Sequence, residues 1–210
     1  MSYYNTLHLY NSKEEAEAAY NEYLTNHKRN IIMAYDKYHN ALGEYLHIDV
    51  DRLHTLVVAH DNSKLLSEEE IYGHMIQYYP YIGDGVDLSK YGLRRAIFEK
   101  ALLHHYHNNP HHPEYWVIFR DNSMVATVMD NIYLAEMILD WCAHQADNRG
   151  TVYDYWFNNR ASKYINYDNI KQIDYIVDNI LGDDSDIPFL NSPMTFNLGA
   201  KKNNAHPSNK

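Results

Sequence analysis

The sequence contains a single cysteine, Cys142, among its 210 residues. One cysteine cannot form a disulfide within the chain, which is typical of a protein from a reducing compartment. It also excludes the zinc sites that are built from several cysteine thiolates. If the chain binds a metal ion, the ligands must therefore be imidazole and carboxylate groups.

Long apolar runs are missing as well. No segment approaches the roughly 20 apolar residues that a membrane-spanning helix needs, and the amino-terminal stretch MSYYNTLHLYNSKEE lacks the basic and then apolar order of a signal peptide. We therefore expect a protein without a membrane partner that stays in the cytoplasm.

Positive charge is scarce, because 18 lysine and arginine residues stand against 28 aspartate and glutamate residues, for a formal net charge of -10. Proteins that bind nucleic acid without regard to its sequence depend on lysine and arginine to neutralise phosphates. The charge balance therefore argues against broad nucleic-acid binding. A small anionic phosphate substrate in a metal pocket remains compatible with it.

Strand patterns are also scarce, since TLVV and YWVIF are the only candidates and both lie beside helical patterns. Elsewhere apolar residues recur at helical spacing behind capping residues such as Ser12, Asp49, Ser67 and Asp87, and Gly43 is expected to end the first helix. The predicted helices cover about residues 13–42, 50–60, 68–79, 88–107, 131–145, 151–160 and 167–181. We predict an all-α fold with one domain over residues 1–182 and a polar, flexible tail over residues 183–210.

Histidine is unusually dense in one stretch of the chain. Of the 14 histidines, five lie in LLHHYHNNPHHPEYW, residues 102–116, and these are His104, His105, His107, His111 and His112. The stretch follows a predicted helix that the Asn-Asn-Pro sequence ends. Such a density of imidazoles predicts a bound partner, and a metal ion is the simplest one.

Other candidate ligands lie on other predicted helices. His60 and Asp61 are adjacent at the end of an apolar helix, and His27 lies on the helix before it. Asp140 lies within the apolar run MILDWC, where a carboxylate is costly to bury unless it is paired or coordinates a metal. Helices of a bundle can bring such groups together at one point.

The order His27, His60-Asp61, Asp140 resembles the HD (His-Asp) superfamily of metal-dependent phosphohydrolases, and HDNSK, which ends at Lys64, looks like the HD-x-x-K form of its signature. The stretches NHKRNI, AHDNSKLLSEEE, LLHHYHNNPHHPEYW and AEMILDWCA are more closely similar to a little-characterised HD-like family of bacteria and phages, over about residues 20–160. The resemblance implies an HD-domain-like helical bundle with a metal site between its helices.

The resemblance also implies a set of metal ligands. In the superfamily the first histidine, the His-Asp pair and the late aspartate bind one ion, and the matching residues here are His27, His60, Asp61 and Asp140. Members with additional histidines between these positions hold a second ion, and the implied candidates for it are His104, His105, His111 and His112.

Imidazole and carboxylate ligands suit divalent manganese, iron, nickel, cobalt or zinc, and such an ion lowers the pKa of a bound water to about 7. Asp61 is a candidate bridge between two ions, and Lys64 would supply positive charge to a transition state. The sequence thus predicts a metal-dependent phosphohydrolase that acts on a nucleotide or another phosphate ester. Its catalytic residues would be Asp61 and Lys64, and its cofactor one or two divalent ions.

Two other functions remain open at this point. Some HD-fold proteins with extra histidine ligands use a mixed-valent iron pair to cleave C–C or C–P bonds, so a di-iron oxygenase is one alternative. A non-catalytic, metal-stabilised binding protein, such as a phage counter-defence protein, is the other. The paired histidines also have a plain structural interpretation, since imidazolium interacts favourably with the carboxyl end of a helix.

Several further residues are interpreted as structural. Asn109, Tyr115 and Trp116 are expected to support the ligand loop, and Arg94 and Arg95 to face solvent rather than the mouth of a phosphate pocket. The remaining histidines are given no role in the site, namely His8, His39, His47, His54, His74, His144 and His206.

Overall fold

The computed structural model describes residues 8–83, 91–148 and 150–182 of the chain. Within these ranges the backbone is mostly α-helical, with α1 (Lys13–Leu46), α2 (Val50–Ala59), α3 (Ser63–Leu66), α4 (Glu68–Tyr78), α5 (Tyr91–Asn108), α6 (Asn131–Asn148), α7 (Val152–Asn159) and α8 (Tyr167–Ile176). Short turns of 3-10 or π helix cover Pro113–Trp116, Arg160–Ser162 and Val177–Leu181. The predicted all-α class is confirmed. None of the described helices combines the length and apolar character that crossing a membrane requires.

α1, α2 and α4 begin directly after the capping residues that the sequence predicts. The side chains of Ser12, Asp49 and Ser67 each accept hydrogen bonds from backbone amides in the first turn of α1, α2 and α4. These bonds satisfy amides that have no partner within the helix. The predicted cap at Asp87 and the predicted tail over residues 183–210 lie outside the described residues.

The first helix does not end at Gly43, as the sequence had suggested. α1 continues to Leu46, and His47 closes it in the left-handed conformation with φ of 54°. Gly43 instead permits a close approach of α2, because a Cβ atom there would lie 2.6 Å from Cγ1 of Val50. The prediction was wrong because this glycine serves packing between two helices rather than helix termination.

Two clusters of buried apolar side chains lie along α1. The larger one joins the carboxyl-terminal half of α1 to α2, α6, α7 and α8, and its fully buried members include Leu42, Leu53, Ile138, Trp156 and Ile173. The smaller one joins the amino-terminal half of α1 to α4, and it contains Ala16, Tyr20, Tyr23, Leu24, Met75 and Tyr79. Along α1, His27 lies between Leu24, which belongs to the smaller cluster, and Ile31, which belongs to the larger one. The fold therefore places this candidate ligand between two apolar cores.

The packing of α5 against α4 positions the histidine-rich stretch. A Cβ atom on Gly73 of α4 would lie 2.3 Å from Cβ of Ala101 on α5, so the two helices approach closely at this glycine. α5 then carries His105 toward α3 and the turn after α2. The histidine-rich stretch thus reaches the same region of the molecule as His60 and Asp61.

Of the two predicted strand candidates, one is a strand in the described part of the chain. TLVV lies inside α2, whereas the residues after Trp116 form β1 (Val117–Arg120), paired antiparallel with β2 (Ser123–Ala126). The hairpin turns at Asp121 and Asn122, both with positive φ, as tight hairpin turns require. It follows the histidine loop and precedes α6.

Candidate metal centre

Asp61 lies at the middle of the candidate centre, in the turn between α2 and α3. Its backbone is left-handed, with φ of 53°, a conformation that aspartate tolerates better than most residues. Oδ2 lies 3.5 Å from Nε2 of His60 and accepts a hydrogen bond from Nζ of Lys64. Oδ1 lies 3.3 Å from Nε2 of His105 and 3.5 Å from Nε2 of His111. The two oxygens of one carboxylate thus face different imidazoles, which belong to two sets of potential metal ligands.

The first set, called here the first group, consists of His27, His60 and Asp140. These residues come from α1, from the end of α2 and from α6. Oδ1 of Asp140 lies 3.1 Å from Nε2 of His27 and 3.5 Å from Nε2 of His60. All three residues are buried. Three separate helices therefore bring their nitrogen and oxygen atoms to one point.

The second set, called the second group, consists of Asp61, His105, His111 and His112. His105 lies near the end of α5, and His111 and His112 lie in the loop that follows. Nε2 of His105 lies 2.8 Å from Nε2 of His112. One potential ligand atom from each of the four residues falls within 4.8 Å of the others. Such a spacing suits coordination of one ion by imidazole and carboxylate.

Two glutamates that the sequence analysis did not single out hold the far side of these imidazoles. Oε1 of Glu136 lies 3.0 Å from Nδ1 of His60 and 3.3 Å from Nδ1 of His111. Oε2 of Glu70 lies 2.9 Å from Nδ1 of His105. Histidines that bind metal ions usually donate their second ring N–H to a carboxylate, which fixes the tautomer and the ring orientation. The sequence signal for Glu136 was its place one turn before Asp140.

His104 is the predicted ligand that the structure leaves outside both groups. Its side chain is 36% exposed, and its Nδ1 donates to Oε1 of Glu70 at 2.6 Å rather than facing Asp61. Because neighbouring residues on a helix project about 100° apart, only one of His104 and His105 can face the centre. The described residues bring together the other seven predicted ligands.

Two histidines that had been given no role also lie beside the centre. Nε2 of the half-exposed His144 lies 3.4 Å from Oδ1 of Asp140, and its ring lies 4.5 Å from that of His27. His74 is buried, and its Nδ1 donates to the backbone carbonyl of Glu70 at 2.8 Å. The i, i+4 spacing of His144 from Asp140 was the signal that could have identified it.

Several polar atoms at the centre are buried without a hydrogen-bond partner. They are Nδ1 of His27, Nε2 of His60, Nε2 of His111 and Oδ1 of Asp61, while Nε2 of His27 and Oδ1 of Asp140 lie 3.1 Å apart and have no other hydrogen-bond partner. Buried polar atoms normally have a partner, because an unsatisfied one costs about 1–3 kcal/mol. These atoms converge from both groups on the region around Asp61. The residues therefore fit bound cations, which would satisfy these nitrogen and oxygen atoms.

The carboxylates of the centre are held in the ionised form. Burial opposes their charge, but the imidazoles around them, and Lys64 in the case of Asp61, outweigh it. The pKa of Asp61 and of Asp140 therefore lies well below the usual range, and the pKa of Glu136 falls to about 2. Metal coordination requires this ionised state.

The imidazoles divide into two kinds. Burial lowers the pKa of His27, His105 and His112, so these rings are neutral at pH 7 and keep a lone pair for coordination. His60 differs, since burial also disfavours its charge but Asp61 and the other nearby carboxylates raise its pKa to about 10. A proton on His60 thus compensates part of the carboxylate charge, and a divalent cation can take over that role.

Hydrogen bonds from neighbouring side chains hold the histidine loop in place. Nε1 of Trp116 donates to the backbone carbonyl of Pro110 at 2.7 Å. Nδ2 of Asn109 donates to the carbonyl of His105 at 2.8 Å and to Oγ of Ser63 at 2.9 Å. These contacts connect the loop to α5 and α3, and they agree with the supporting role expected of Asn109 and Trp116.

Arg94 does not face solvent as expected. It is buried, and it donates to the backbone carbonyls of Ile76 and Gln77 at 3.2 and 3.1 Å. It thereby satisfies carbonyls at the end of α4 that have no partner within the helix. Its charge serves the α4–α5 contact, whereas Arg95 is exposed and pairs with Glu99 on the same helix.

Comparison with known proteins gives a family but no activity. No curated protein and no solved structure matches the chain. Residues 16–183 match one family model, which covers more than half of the chain. The protein therefore belongs to the family of unknown function DUF5662.

Proposed function

We propose that the protein is a metal-dependent phosphohydrolase that acts on a nucleotide or another phosphate ester. The observation that carries this proposal is the placement of Asp61. Oδ2 lies beside His60 of the first group and Oδ1 beside His105 and His111 of the second, and several buried nitrogen and oxygen atoms of the two groups lack a hydrogen-bond partner. A carboxylate shared in this way suits a centre of two divalent ions. The resemblance to the HD superfamily supports the same function.

The balance of buried charge supports bound cations. Four carboxylates are buried at the centre, namely Asp61, Glu70, Glu136 and Asp140, and one buried lysine, Lys64, contacts Asp61. Buried charges are costly unless they are paired or coordinate a metal. The ammonium of Lys64 and a proton on His60 together leave half of this negative charge uncompensated. Divalent cations would balance it while the imidazoles stay neutral.

The chain's own residues divide the chemistry between them. A divalent ion bound here would lower the pKa of a coordinated water toward about 7 and so supply a nucleophile at neutral pH. Asp61 would provide one carboxylate oxygen to each group, at the position where the substrate reacts. Burial disfavours the charge of Lys64, but Asp61 raises its pKa, so its ammonium remains charged beside that position. Lys64 can therefore stabilise negative charge that develops on a phosphoryl group.

A second lysine lies at the edge of the centre. Lys28, which follows His27 on α1, is half-buried and donates a hydrogen bond to Oδ1 of Asn62, which follows Asp61. Within the part of the chain that the structure describes, Lys28 makes no ion pair. A half-buried ammonium whose partner is a neutral amide is well placed to bind an anionic substrate. This favours a phosphate ester over a neutral substrate.

Screening metal-loaded protein against phosphate esters tests the proposal. Protein reconstituted with manganese, nickel, cobalt, iron or zinc is incubated with nucleoside mono-, di- and triphosphates, cyclic nucleotides and bis(p-nitrophenyl) phosphate. We expect metal-dependent release of phosphate or p-nitrophenol that a chelator stops and Asp61→Asn abolishes. Wild-type protein that takes up no metal would overturn the proposal, and metal uptake without turnover would favour a binding protein. A cytoplasmic location is part of the proposal, and the buried Cys142, which is in no disulfide within the described part of the chain, is compatible with it.

A di-iron oxygenase is the second candidate, and the composition of the second group is compatible with it. Three imidazoles and one carboxylate provide nitrogen and oxygen donors that suit iron as well as zinc or manganese. The metal content of protein purified without a chelator or a nickel column discriminates between the two functions. Two irons per chain and consumption of oxygen with substrate would favour the oxygenase, whereas manganese- or nickel-supported phosphate release would favour the hydrolase.

A further inference from the structure

Glu136 contacts one imidazole from each of the two groups. It lies on α6, one turn before Asp140, and is 4% exposed. A single oxygen, Oε1, lies 3.0 Å from Nδ1 of His60 and 3.3 Å from Nδ1 of His111. The rings of His60 and His111 lie 4.2 Å apart between their centroids, at a tilt of 35°. One carboxylate thus sets the positions of two imidazoles that face different sides of Asp61.

The chemistry of these contacts assigns the protons. A carboxylate oxygen only accepts, so each ring donates its Nδ1–H to Glu136. In the neutral ring the lone pair is then on Nε2, which in both residues is buried without a hydrogen-bond partner. Nε2 of His60 lies 3.5 Å from Oδ2 of Asp61, and Nε2 of His111 lies 3.5 Å from Oδ1. Glu136 therefore presents a ligand nitrogen to each side of the shared aspartate.

We propose that Glu136 is a positioning residue that couples the two metal positions, so that a change at this one carboxylate weakens both ions together. The inference rests on the metal centre of the proposed function but not on hydrolysis. Carboxylates behind metal-bound imidazoles raise ligand basicity, and their loss typically costs about 10–100-fold in metal affinity. At most metal sites such a loss affects one ion. Here Oε1 accepts from two imidazoles, one in each group, so the loss of this carboxylate should lower the affinity for both ions.

Glu70 provides the matched control within the same chain. It is also a buried carboxylate behind a ligand imidazole, with Oε2 2.9 Å from Nδ1 of His105. Its other oxygen accepts from Nδ1 of His104 at 2.6 Å. His105 belongs to the second group and His104 to neither. A change at Glu70 should therefore weaken the second ion alone.

Cobalt(II) titration of the metal-free protein distinguishes these effects, because the visible absorption of cobalt reports the ligands of each ion. The variants His27→Ala and His112→Ala each remove a ligand of one group, and their spectra assign the bands to the two positions. Glu136→Gln keeps an acceptor oxygen but loses the charge, whereas Glu136→Met removes both. We expect Glu136→Gln to weaken both ions about tenfold, Glu136→Met to weaken both further, and Glu70→Gln to weaken only the second ion.

The outcomes separate this inference from the proposed function. If wild-type protein binds two cobalt ions but Glu136→Gln weakens only one or neither, the coupling is wrong while the metal centre stands. If wild-type protein binds no cobalt, both fail. Should Glu136→Met not fold by circular dichroism, the comparison of Glu136→Gln with Glu70→Gln decides alone, because Gln matches the shape of Glu. Equal weakening by Glu70→Gln of both ions would also overturn the inference.

Discussion

The two groups at the candidate centre are built in different ways. The first draws His27, His60 and Asp140 from three helices that are distant in the chain. The second, apart from Asp61, draws its histidines from residues 105–112. The first group can form only when α1, α2 and α6 pack correctly, whereas the second depends mainly on one helix end and its loop. Binding of an ion to the first group should therefore be coupled more strongly to the stability of the fold.

Exposure differs between the groups in the same direction. All members of the first group are buried, whereas His112 of the second is only half-buried. The second group thus lies nearer to solvent, and the first lies between the two apolar clusters. This difference suggests that the first ion would mainly hold the helices together and that substrate would approach from the side of the second.

Asp61 belongs to both sides of this comparison, so its replacement should have the largest effect. Asp61→Asn keeps the shape of the side chain and tolerates the left-handed backbone with φ of 53°. The loss of a shared anionic ligand should remove most of both ions and all turnover. Elemental analysis after reconstitution measures the first effect, and a phosphate-release assay measures the second.

His39 supplies the control for Asp61→Asn. Its Nδ1 donates to the backbone carbonyl of Tyr35 on the same helix at 2.9 Å, away from the centre. His39→Ala should keep both ions. Retention of two ions by Asp61→Asn would show that Asp61 is not a shared ligand and that the two groups are independent.

Single replacements in each group sharpen the comparison further. His27→Ala and His112→Ala should each bind one ion fewer than the wild type. At an ion concentration of about 100 Kd, a bound ion should raise the Tm of wild-type protein by about 5–10 °C. We expect His112→Ala to keep most of this increase and His27→Ala to lose most of it, in thermal melts with and without manganese. Equal losses would remove the proposed distinction between the groups.

Much of the first group was predictable from particular residues. Asp140 in MILDWC signalled a carboxylate that must find a partner, since its neighbours belong to the apolar core. The helix caps at Ser12 and Asp49 located α1 and α2, and with them His27 and His60. Local rules sufficed here because caps and apolar spacing depend on neighbours in the chain.

Other features of the site could not be predicted from the sequence, because they depend on how the helices pack against one another. Glu70 lies in the acidic run SEEE, where it suited the first turn of a helix, and its contact with His105 depends on the packing of α4 on α5. The choice between His104 and His105 depends on the rotation of α5. The place of Glu136 one turn before Asp140 put it near the site, but its contacts with both His60 and His111 depend on how these residues pack against α6.

Replacement of Lys64 should slow turnover while leaving both groups occupied. Lys64 contacts the shared carboxylate of Asp61 but offers no ligand atom to either group. Removing one charge-stabilising donor from a transition state typically costs about 10²–10³ in kcat. Lys64→Ala should therefore lose about a hundredfold in kcat with unchanged metal content, measured by steady-state kinetics and elemental analysis. Lys100→Ala, at an exposed ion pair with Glu69, is the control. Loss of metal from Lys64→Ala would assign this lysine a structural role.

A smaller effect is expected at Lys28, which belongs to neither group. Lys28→Gln removes a half-buried charge near Asn62. An ion pair between this partly solvated ammonium and a bound phosphate would contribute little to the binding free energy. We expect about a three- to fivefold weaker binding of inorganic phosphate to the metal-loaded protein, measured by calorimetry, and a similar rise in KM with little change in kcat. Lys13→Gln, on the same helix but paired with Glu17 at the surface, should leave phosphate binding unchanged. A drop in kcat without a change in KM would contradict an anion-binding role for Lys28.

Removal of residues 183–210 should have the smallest effect of all, because the described residues before this segment already supply every ligand of both groups and two apolar clusters. The position of the cut matters. Leu181 is buried in the larger cluster, and its backbone carbonyl accepts a hydrogen bond from the hydroxyl of Tyr38 at 3.1 Å. A chain ending at Gly182 keeps both contacts, so its Tm and metal content should match those of the full chain within experimental error.

A chain ending at Asn179 loses Leu181 and should melt several degrees lower, since deleting a large buried aliphatic side chain costs about 2–5 kcal/mol. If the chain ending at Gly182 also melts many degrees lower, the domain boundary predicted from the polar composition of the segment is wrong.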